Sequence, residues 1–569
     1  MAFPKGLLAL ALLIASPRVH AADVTITVDP SANRHPVSPL IYGVSFGDDA
    51  AVASRRWSIR RWGGNATTRY NWRNDSANRG ADYLFMNFPN DNPDPSTGTS
   101  ADHFLDANHA AGAESLVTIP TIGWAPPDTE VRWGFSQQKY GTQQFGECDI
   151  NFYDGCHEDA GNGFHAVSGS PVTGNDPHDT SIEVGPSFEA AWVAHIVARL
   201  GAASQGGVEF YALDNEPMIW ASEHRDVHPA PPTYDEIWGK TAGYAAAIKA
   251  ADPGAKVTGP AEGGWCAYFW SGLDGCSDGP DYAAHGGMHW VDWYLQQVQA
   301  YANSHGGQRL IDYLDLHCYP QGEINNTGVA FSDDSVPGMA ELRLRSIKSL
   351  YDPAYVDESW IGDAGFEGGV VRLIPRMKAW AAAVTGMKTA ITEYNWGADD
   401  SPSGALAQAE TLAIFGREGL DMAMRWDAPA AGSLTQDAFD LYLDYDGAGS
   451  KVYGDSVSAV SSNVDSVGAY AIRNPSATLY VLLFNKDTVS STAAVTVAGG
   501  VPPAAHLYEF HAGRRLGAAG DVAPSGGRLT LTLPPRSATL AVLPPLAPPG
   551  EPSVAPVAPP PPARVSPRQ

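Results

Sequence analysis

Between Ile41 and Ala428 the chain carries eight short apolar runs, with helical patterns between most of them, and this alternation restricts the fold more than any other feature. The runs are Ile41–Phe46, Ser58–Trp62, Ser115–Ile122, Val208–Asn215, Lys256–Ala261, Tyr313–Tyr319, Lys388–Glu393 and Asp421–Trp426. Helical patterns fall at Ser187–Ala202, Thr233–Ala251, Gly287–Ser304, Val371–Val384 and Leu406–Glu418. Thr233 with Glu236 three residues on is a capping-box pattern that fixes one helix start. Eight alternations of strand and helix predict a (β/α)8 barrel over residues 41–428, an α/β TIM barrel. A minimal barrel needs about 250 residues. The surplus lies at Asn65–Ser100 and Gly123–Pro186, after the second and third strands. Both insertions are rich in Gly, Pro, Asn and Trp and are expected on the C-terminal face, where barrel enzymes build their clefts.

The pattern changes beyond Ala428. Short alternating runs at Val467–Ile472, Thr478–Phe484, Ala493–Val497, His506–Phe510, Leu529–Leu533 and Thr539–Leu543 predict an attached antiparallel β-sandwich over 429–543. The strand-like run Val24–Val28 within residues 22–40 is expected to join that sandwich. From Pro544 to the end, 11 of 26 residues are proline, so 544–569 reads as an extended tail without a core. Residues 1–21 read as a signal peptide, with Lys5 as the positive end, Gly6–Ala15 as a short apolar stretch and Val19-His20-Ala21 as the cleavage site. No later stretch reaches about 18 uninterrupted apolar residues. The mature protein is therefore expected to be secreted, either to the periplasm or outside the cell.

An exported chain tolerates disulfides, and the five cysteines pair by proximity as Cys148–Cys156 and Cys266–Cys276, leaving Cys318 inside an apolar strand. Zinc is the alternative, but no CxxC spacing supports it. The net charge of −27 makes phosphate backbones and anionic membranes poor partners, while a neutral polysaccharide is indifferent to it.

Two segments carry the chemistry. Asp214-Asn215-Glu216-Pro217 ends the fourth run, and Thr392-Glu393-Tyr394-Asn395-Trp396 ends the seventh. Two carboxylates at one barrel mouth are what glycoside hydrolysis needs, one as acid and one as nucleophile or base. Pro217 ends strand pairing and forces a turn at Glu216. Asn215 is placed to bond a sugar 2-hydroxyl, Tyr394 or a neighbouring tyrosine to hold Glu393, and Trp396 to join a sugar platform. His317 and Tyr319 share one face of the sixth run and are expected to position Glu393. The 16 Trp include Trp62, Trp72, Trp124, Trp265, Trp396 and Trp426 at or just beyond strand ends. Each is either a stacking platform or a core residue, and Trp426 is the expected floor of the cleaved subsite. His224, Asp226 and His228 form an HxDxH cluster. Such spacings occur in metal-dependent hydrolases, which makes that class a rival, but no further ligand set stands out, so the cluster is read as a loop beside the cleft.

RRWGGN at Arg60–Asn65, YNWRND at Tyr70–Asp75, LDNEPMIW at Leu213–Trp220, HRDVHP at His224–Pro229 and ITEYNWG at Ile391–Gly397 together resemble glycoside hydrolase family 44, a family of endoglucanases and xyloglucanases. The resemblance runs from about Val24 to Leu543. It implies a barrel with an attached sandwich, retention of anomeric configuration, Glu216 as acid/base and Glu393 as nucleophile. Asn65 lies in the first motif and is taken as a substrate contact. The family implies no required cofactor. Some members hold a structural calcium ion, whose ligands no motif assigns here. The expected partner is a β-1,4-glucan or xyloglucan chain, and the expected state a monomer. Other barrel glycosidases, such as xylanases or mannanases, and a non-catalytic carbohydrate-binding protein are the alternatives.

Overall fold

The computed structural model describes residues 23–546 apart from 93 and 151–155. The signal peptide read at 1–21, and the proline-rich tail beyond Leu546, lie outside the described residues. Strand β1 (Val24–Asp29) leads into eight parallel strands: β2 (Gly43–Ser45), β3 (Ile59–Trp62), β4 (Glu114–Ile119), β5 (Phe210–Leu213), β6 (Lys256–Glu262), β7 (Tyr313–Leu316), β8 (Lys388–Ile391) and β9 (Met422–Arg425). These eight close into a barrel in chain order, and each falls within a residue or so of an apolar run read from the sequence. Parallel strands covered by helices are buried on both faces, and β3, β5, β7 and β9 are buried throughout. Alternation divides their side chains between the barrel interior and the helical shell. Ile59, Leu116, Phe210, Ala212, Tyr313, Ala390, Met422 and Met424 form one buried cluster.

Helices α1 (Ser100–Ala111), α2 (Pro186–Leu200), α3 (Tyr234–Ala251), α4 (Trp290–Ser304), α5 (Met339–Ser346), α6 (Leu373–Ala381), α7 (Pro402–Glu418) and α8 (Leu434–Leu443) form the outer layer. Local chemistry sets their starts. Thr233 caps α3 by accepting the Glu236 amide, Thr99 and Asp102 make a full capping box on α1, and α2 and α7 open on proline. The first insertion folds as a three-stranded sheet over Tyr70–Asn71, Ser76–Asn78 and Asn87–Pro89. In the second, Trp124–Ala125 pairs with Ile182–Glu183.

After α8 come β10 (Asp455–Ser461), β11 (Val467–Arg473), β12 (Leu479–Asn485), β13 (Ser491–Val497), β14 (Ala505–His511), β15 (Arg514–Val522), β16 (Leu529–Leu533) and β17 (Ser537–Leu543). They run in the order β15-β14-β17-β12-β11-β10-β1-β13-β16. β1 lies between β10, antiparallel, and β13, parallel. Val24, Ile26 and Val28 point into the sandwich core beside Val481, Leu483, Val495 and Leu531. The sequence reading needs two corrections. The segment after Ala428 first forms helix α8, capped by Ser433, before any strand begins. The sandwich also contains one parallel pair, because the strand that completes it enters from the other end of the chain.

Helix α7 is buried on every side from Ser403 to Gly416, since it lies between the barrel and the sandwich. At that boundary the Glu410 carboxylate, which has no exposure, accepts from Lys486 Nζ at 3.2 Å and Tyr470 Oη at 3.1 Å. The paired cysteines are Cys148–Cys156 and Cys266–Cys276, as their spacing suggested, and Cys318 is a buried free thiol.

Candidate active site

Glu216 follows β5 and Glu393 follows β8, and both open into one cleft of about 810 Å³ at the C-terminal mouth of the barrel. The backbone at Asp214 and Glu216 is left-handed, with φ of 62° and 45°. Such values in non-glycine residues are sparsely populated and collect at functional sites. They swing Glu216 off the strand end onto the start of the Pro217–Ile219 turn, where its amide donates to Ala261 O at 2.9 Å. Gly263 makes room for it: a Cβ there would lie 2.7 Å from the Glu216 carboxyl carbon.

His317 lies between the two glutamates. Its Nδ1 is 2.8 Å from Glu216 Oε1 and 3.6 Å from Glu393 Oε2, while Nε2 meets Thr392 Oγ1 at 3.1 Å. One oxygen of each glutamate and a ring nitrogen of His317 all lie within 4.8 Å of one another. Burial alone would lower the pKa of His317, but Glu393 and Glu216 outweigh that and raise it above the ordinary imidazole value. Arg61 donates to Glu393 Oε1 at 2.5 Å and Tyr319 Oη donates to Oε2 at 2.7 Å. Burial would raise the pKa of Glu393, yet His317, the Arg61 charge and these hydrogen bonds together hold it below the usual carboxylate value. Glu393 is thus kept ionised in a buried setting.

Arg61 also donates to Asn215 Oδ1 at 2.7 Å, Asn215 Nδ2 donates to Asn65 Oδ1 at 2.8 Å, and Asn65 Nδ2 donates to Asp82 Oδ2 at 3.0 Å. A chain of polar contacts therefore joins Glu393 to the rim of the first insertion. Glu223 backs that rim and accepts the Asp82 amide at 3.1 Å. Burial, then the neighbouring Asp82, push Glu223 up to about 8.

Trp62, Asn65, Tyr319, Phe331 and Trp426 line the same cleft as the glutamates. Gly64 (φ 89°) lets the chain pass over Trp426, where a Cβ would come within 2.1 Å of the indole. Four of the tryptophans read from the sequence as candidate platforms are placed elsewhere. Trp72 packs on Phe188 and His195, beside α2. Trp124 pairs across its short sheet and meets His178. Trp396 is buried, with its Nε1 donating to Ser346 Oγ at 3.0 Å. Tyr394 is also buried, bonded to Gln408 and packed on Phe415, so the tyrosine that holds Glu393 is Tyr319. Trp265 packs on Phe269 and Phe366. The sequence reading missed Arg61, Asp82, Glu223 and Phe331. Arg61 follows Arg60, and two adjacent charges read as a solvated face, although the strand that bears them is buried.

A model of glycoside hydrolase family 44 matches residues 76–322. The crystal structure of CelM2, a bifunctional glucanase-xylanase protein from a metagenome library, is 40% identical and superposes with a TM-score of 0.85 over 92% of this chain and 99% of that one. The chain belongs to glycoside hydrolase family 44. A Paenibacillus polymyxa xyloglucanase of family 44 is 27% identical, with a TM-score of 0.75 over 91% of this chain and 99% of its own. Endoglucanase A of Paenibacillus lautus is 30% identical over 487 residues, which are 83% of this chain and 65% of that protein. The chain spans less than two thirds of the length of the curated relatives it matches.

Within this family 44 chain the HxDxH residues do not converge. Asp226 is held by Arg69 at 2.7 Å and His228 by Glu236 at 2.8 Å. Two groups of His, Cys, Asp or Glu come close enough to share an ion among the described residues: Glu147 with the bridged Cys148 and Cys156, and Glu216 with His317 and Glu393. Neither is the cage of six to eight oxygens that calcium takes. The first contains disulfide sulfurs, and in the second the carboxylates are already engaged by Arg61, Tyr319 and His317.

Proposed function

We propose that this family 44 member is a secreted, retaining endo-β-1,4-glucanase that hydrolyses xyloglucan and soluble β-glucans such as carboxymethyl cellulose. The observation that carries the reading is the closeness of the two carboxylates, with an oxygen of each within 4.8 Å of the other. Retaining pairs stand about 5–5.5 Å apart, while inverting pairs leave room for a water at about 6.5–9.5 Å. In this mechanism Glu393 attacks the anomeric carbon while Glu216 protonates the departing glycosidic oxygen. Water then enters, with Glu216 as base, and hydrolyses the glycosyl-enzyme. The charge on Arg61 and the Tyr319 hydroxyl favour an ionised Glu393, as a nucleophile requires. The positive charge that builds on the sugar ring faces Glu393, and Trp426 provides the floor beneath it. No step uses a metal or a cofactor.

Export is supported by the amino-terminal pattern and the two disulfides. No helix among the described residues is long and apolar enough to cross a membrane. The proposed partner is the polysaccharide chain alone, bound by a monomer whose barrel spans 41–428 and whose sandwich draws on 22–40 as well as 429–543. A second reading, activity on xylan, is favoured by the glucanase-xylanase description of the 40% identical CelM2.

The test removes each carboxylate in turn. Glu393→Ala should lose turnover on every substrate, and added azide should yield an α-glycosyl azide. Glu216→Ala should fail on natural glucans yet still cleave a dinitrophenyl glycoside in the first step. Azide should then give the β-azide. Exchanged stereochemistry would swap the two roles, and unimpaired variants would remove both glutamates from the mechanism. Product analysis on xyloglucan, carboxymethyl cellulose, xylan and mannan decides the substrate.

A further inference from the structure

Phe331 stands 64% exposed, the highest exposure of any Phe, Tyr or Trp among the described residues, and it does so in the wall of the cleft that holds Glu216 and Glu393. A single exposed apolar side chain is ordinary on a protein surface. This one is held out at a cost. Its backbone is left-handed, with φ of 61°, a strained conformation that a bulky side chain rarely adopts.

The loop that carries it is fastened on both sides. Before Phe331, Val329 is fully buried and its amide donates to Gly322 O at 2.9 Å. After it, the buried Arg343 donates through Nη2 to Ser332 O at 2.8 Å, through Nη1 to the Asp334 carboxylate, and through Nε to Trp396 O at 2.6 Å. Ser403 Oγ adds a bond to Asp334 Oδ2 at 2.6 Å. Gly397 lets the segment that bears Glu393 press against this loop, since a Cβ there would lie 2.6 Å from Ser332 O and 2.7 Å from Val329 O. Phe331 is thus presented by a clamped loop tied to the Glu393 segment, and its ring packs on Tyr319 with centroids 5.3 Å apart.

We propose that Phe331 is a stacking platform for one glucosyl ring of the bound β-1,4-glucan, and that it sets affinity for longer chains without taking part in bond cleavage. The proposal rests on the glucanase reading above. The axial C–H face of a glucosyl ring is apolar and matches an aromatic face. A ring fixed in advance by its loop loses little conformational freedom when sugar binds. The strained backbone and the buried clamp serve that presentation, and the sequence showed neither.

The experiment uses the full chain with Glu216→Gln, which can bind but not cleave, with and without Phe331→Ala, and titrates cello-oligosaccharides of two to six glucosyl units by calorimetry. The two proteins should bind the shorter sugars alike and diverge at one length, beyond which Phe331→Ala is weaker by roughly tenfold, the scale of one aromatic contact. Phe331→Tyr should restore the parental affinity. On an otherwise native chain, Phe331→Ala should keep kcat and its pH profile on dinitrophenyl cellobioside and raise KM on the polymer. Coincident binding at every length would overturn the proposal. So would a fall in kcat with a shifted pH profile, because the ring would then act only by holding Tyr319. Failure of the unsubstituted chain to cleave any glucan is a separate result, which strikes the glucanase reading itself.

Discussion

At the scale of single residues, Arg61 does most to set the site. It has no exposure, and its two terminal nitrogens divide between Glu393 and Asn215. Removing one partner of such a buried pair leaves an uncompensated charge and costs about 3–5 kcal/mol, so Arg61→Met should lower Tm steeply as well as end activity. Tyr319→Phe is the gentler probe. It deletes one hydrogen bond that holds the Glu393 pKa down, so the acidic limb of kcat/KM should move to higher pH while the fold is kept. A pH–rate profile identical to that of the unaltered chain would count against the contact. Glu223 tests the opposite sign. Burial raises its folded pKa to about 8, against about 4.3 for an ordinary glutamate. Its stabilising contribution is whole below the ordinary value and is lost as pH rises towards 8. Glu223→Gln cannot ionise, so the fall in Tm between pH 5 and pH 8 should be smaller in that variant, as calorimetric scans would show. The two glutamates were legible because each ends an apolar run beside asparagine and aromatic residues. Arg61 was not, because a charge next to another charge reads as a solvated face until strand alternation turns it inward.

At the scale of elements, the barrel was legible because most of its strand residues are buried on both sides, so the strands read as short, largely apolar runs at regular intervals. Helix α8 was missed. It is short, it begins Leu434-Thr435-Gln436-Asp437, and its polar residues are buried by packing that only the folded molecule supplies. The tryptophans show the same limit. Position at a strand end does not say whether an indole faces the mouth, as Trp62 and Trp426 do, or the helical shell, as Trp396 does. The turn after β3 is where an element and the site depend on each other most directly. Gly64→Ala forces a Cβ into the Trp426 ring at a positive φ that alanine resists. It should lower stability by more than about 1 kcal/mol and displace the indole, so that kcat/KM on glucans falls at least tenfold and the tryptophan fluorescence shifts.

At the scale of the whole molecule, barrel and sandwich are joined around α7, and the Glu410–Lys486 contact is buried in that joint. In the sequence Glu410 is one acid on a helix, and nothing marks it as an interior residue, because the surface that buries it comes from a different part of the chain. Lys486→Met should cost about 3–5 kcal/mol by stranding the carboxylate. Adding Glu410→Leu should recover most of that loss, since an apolar pair of similar volume is often as stable as a buried ion pair. Chemical denaturation of the single and double variants measures the difference, and a double variant no better than Lys486→Met would refute it. The position of β1 has a consequence in time. Thr25 and Ser462, which bond across the β1–β10 edge, are 437 positions apart. A ribosome adding about 5–20 residues per second needs roughly 20–90 s to cover that distance. For that interval β1 is an unpaired hydrogen-bonding edge, and the sandwich can close only after its two neighbours, β10 and β13, have been made.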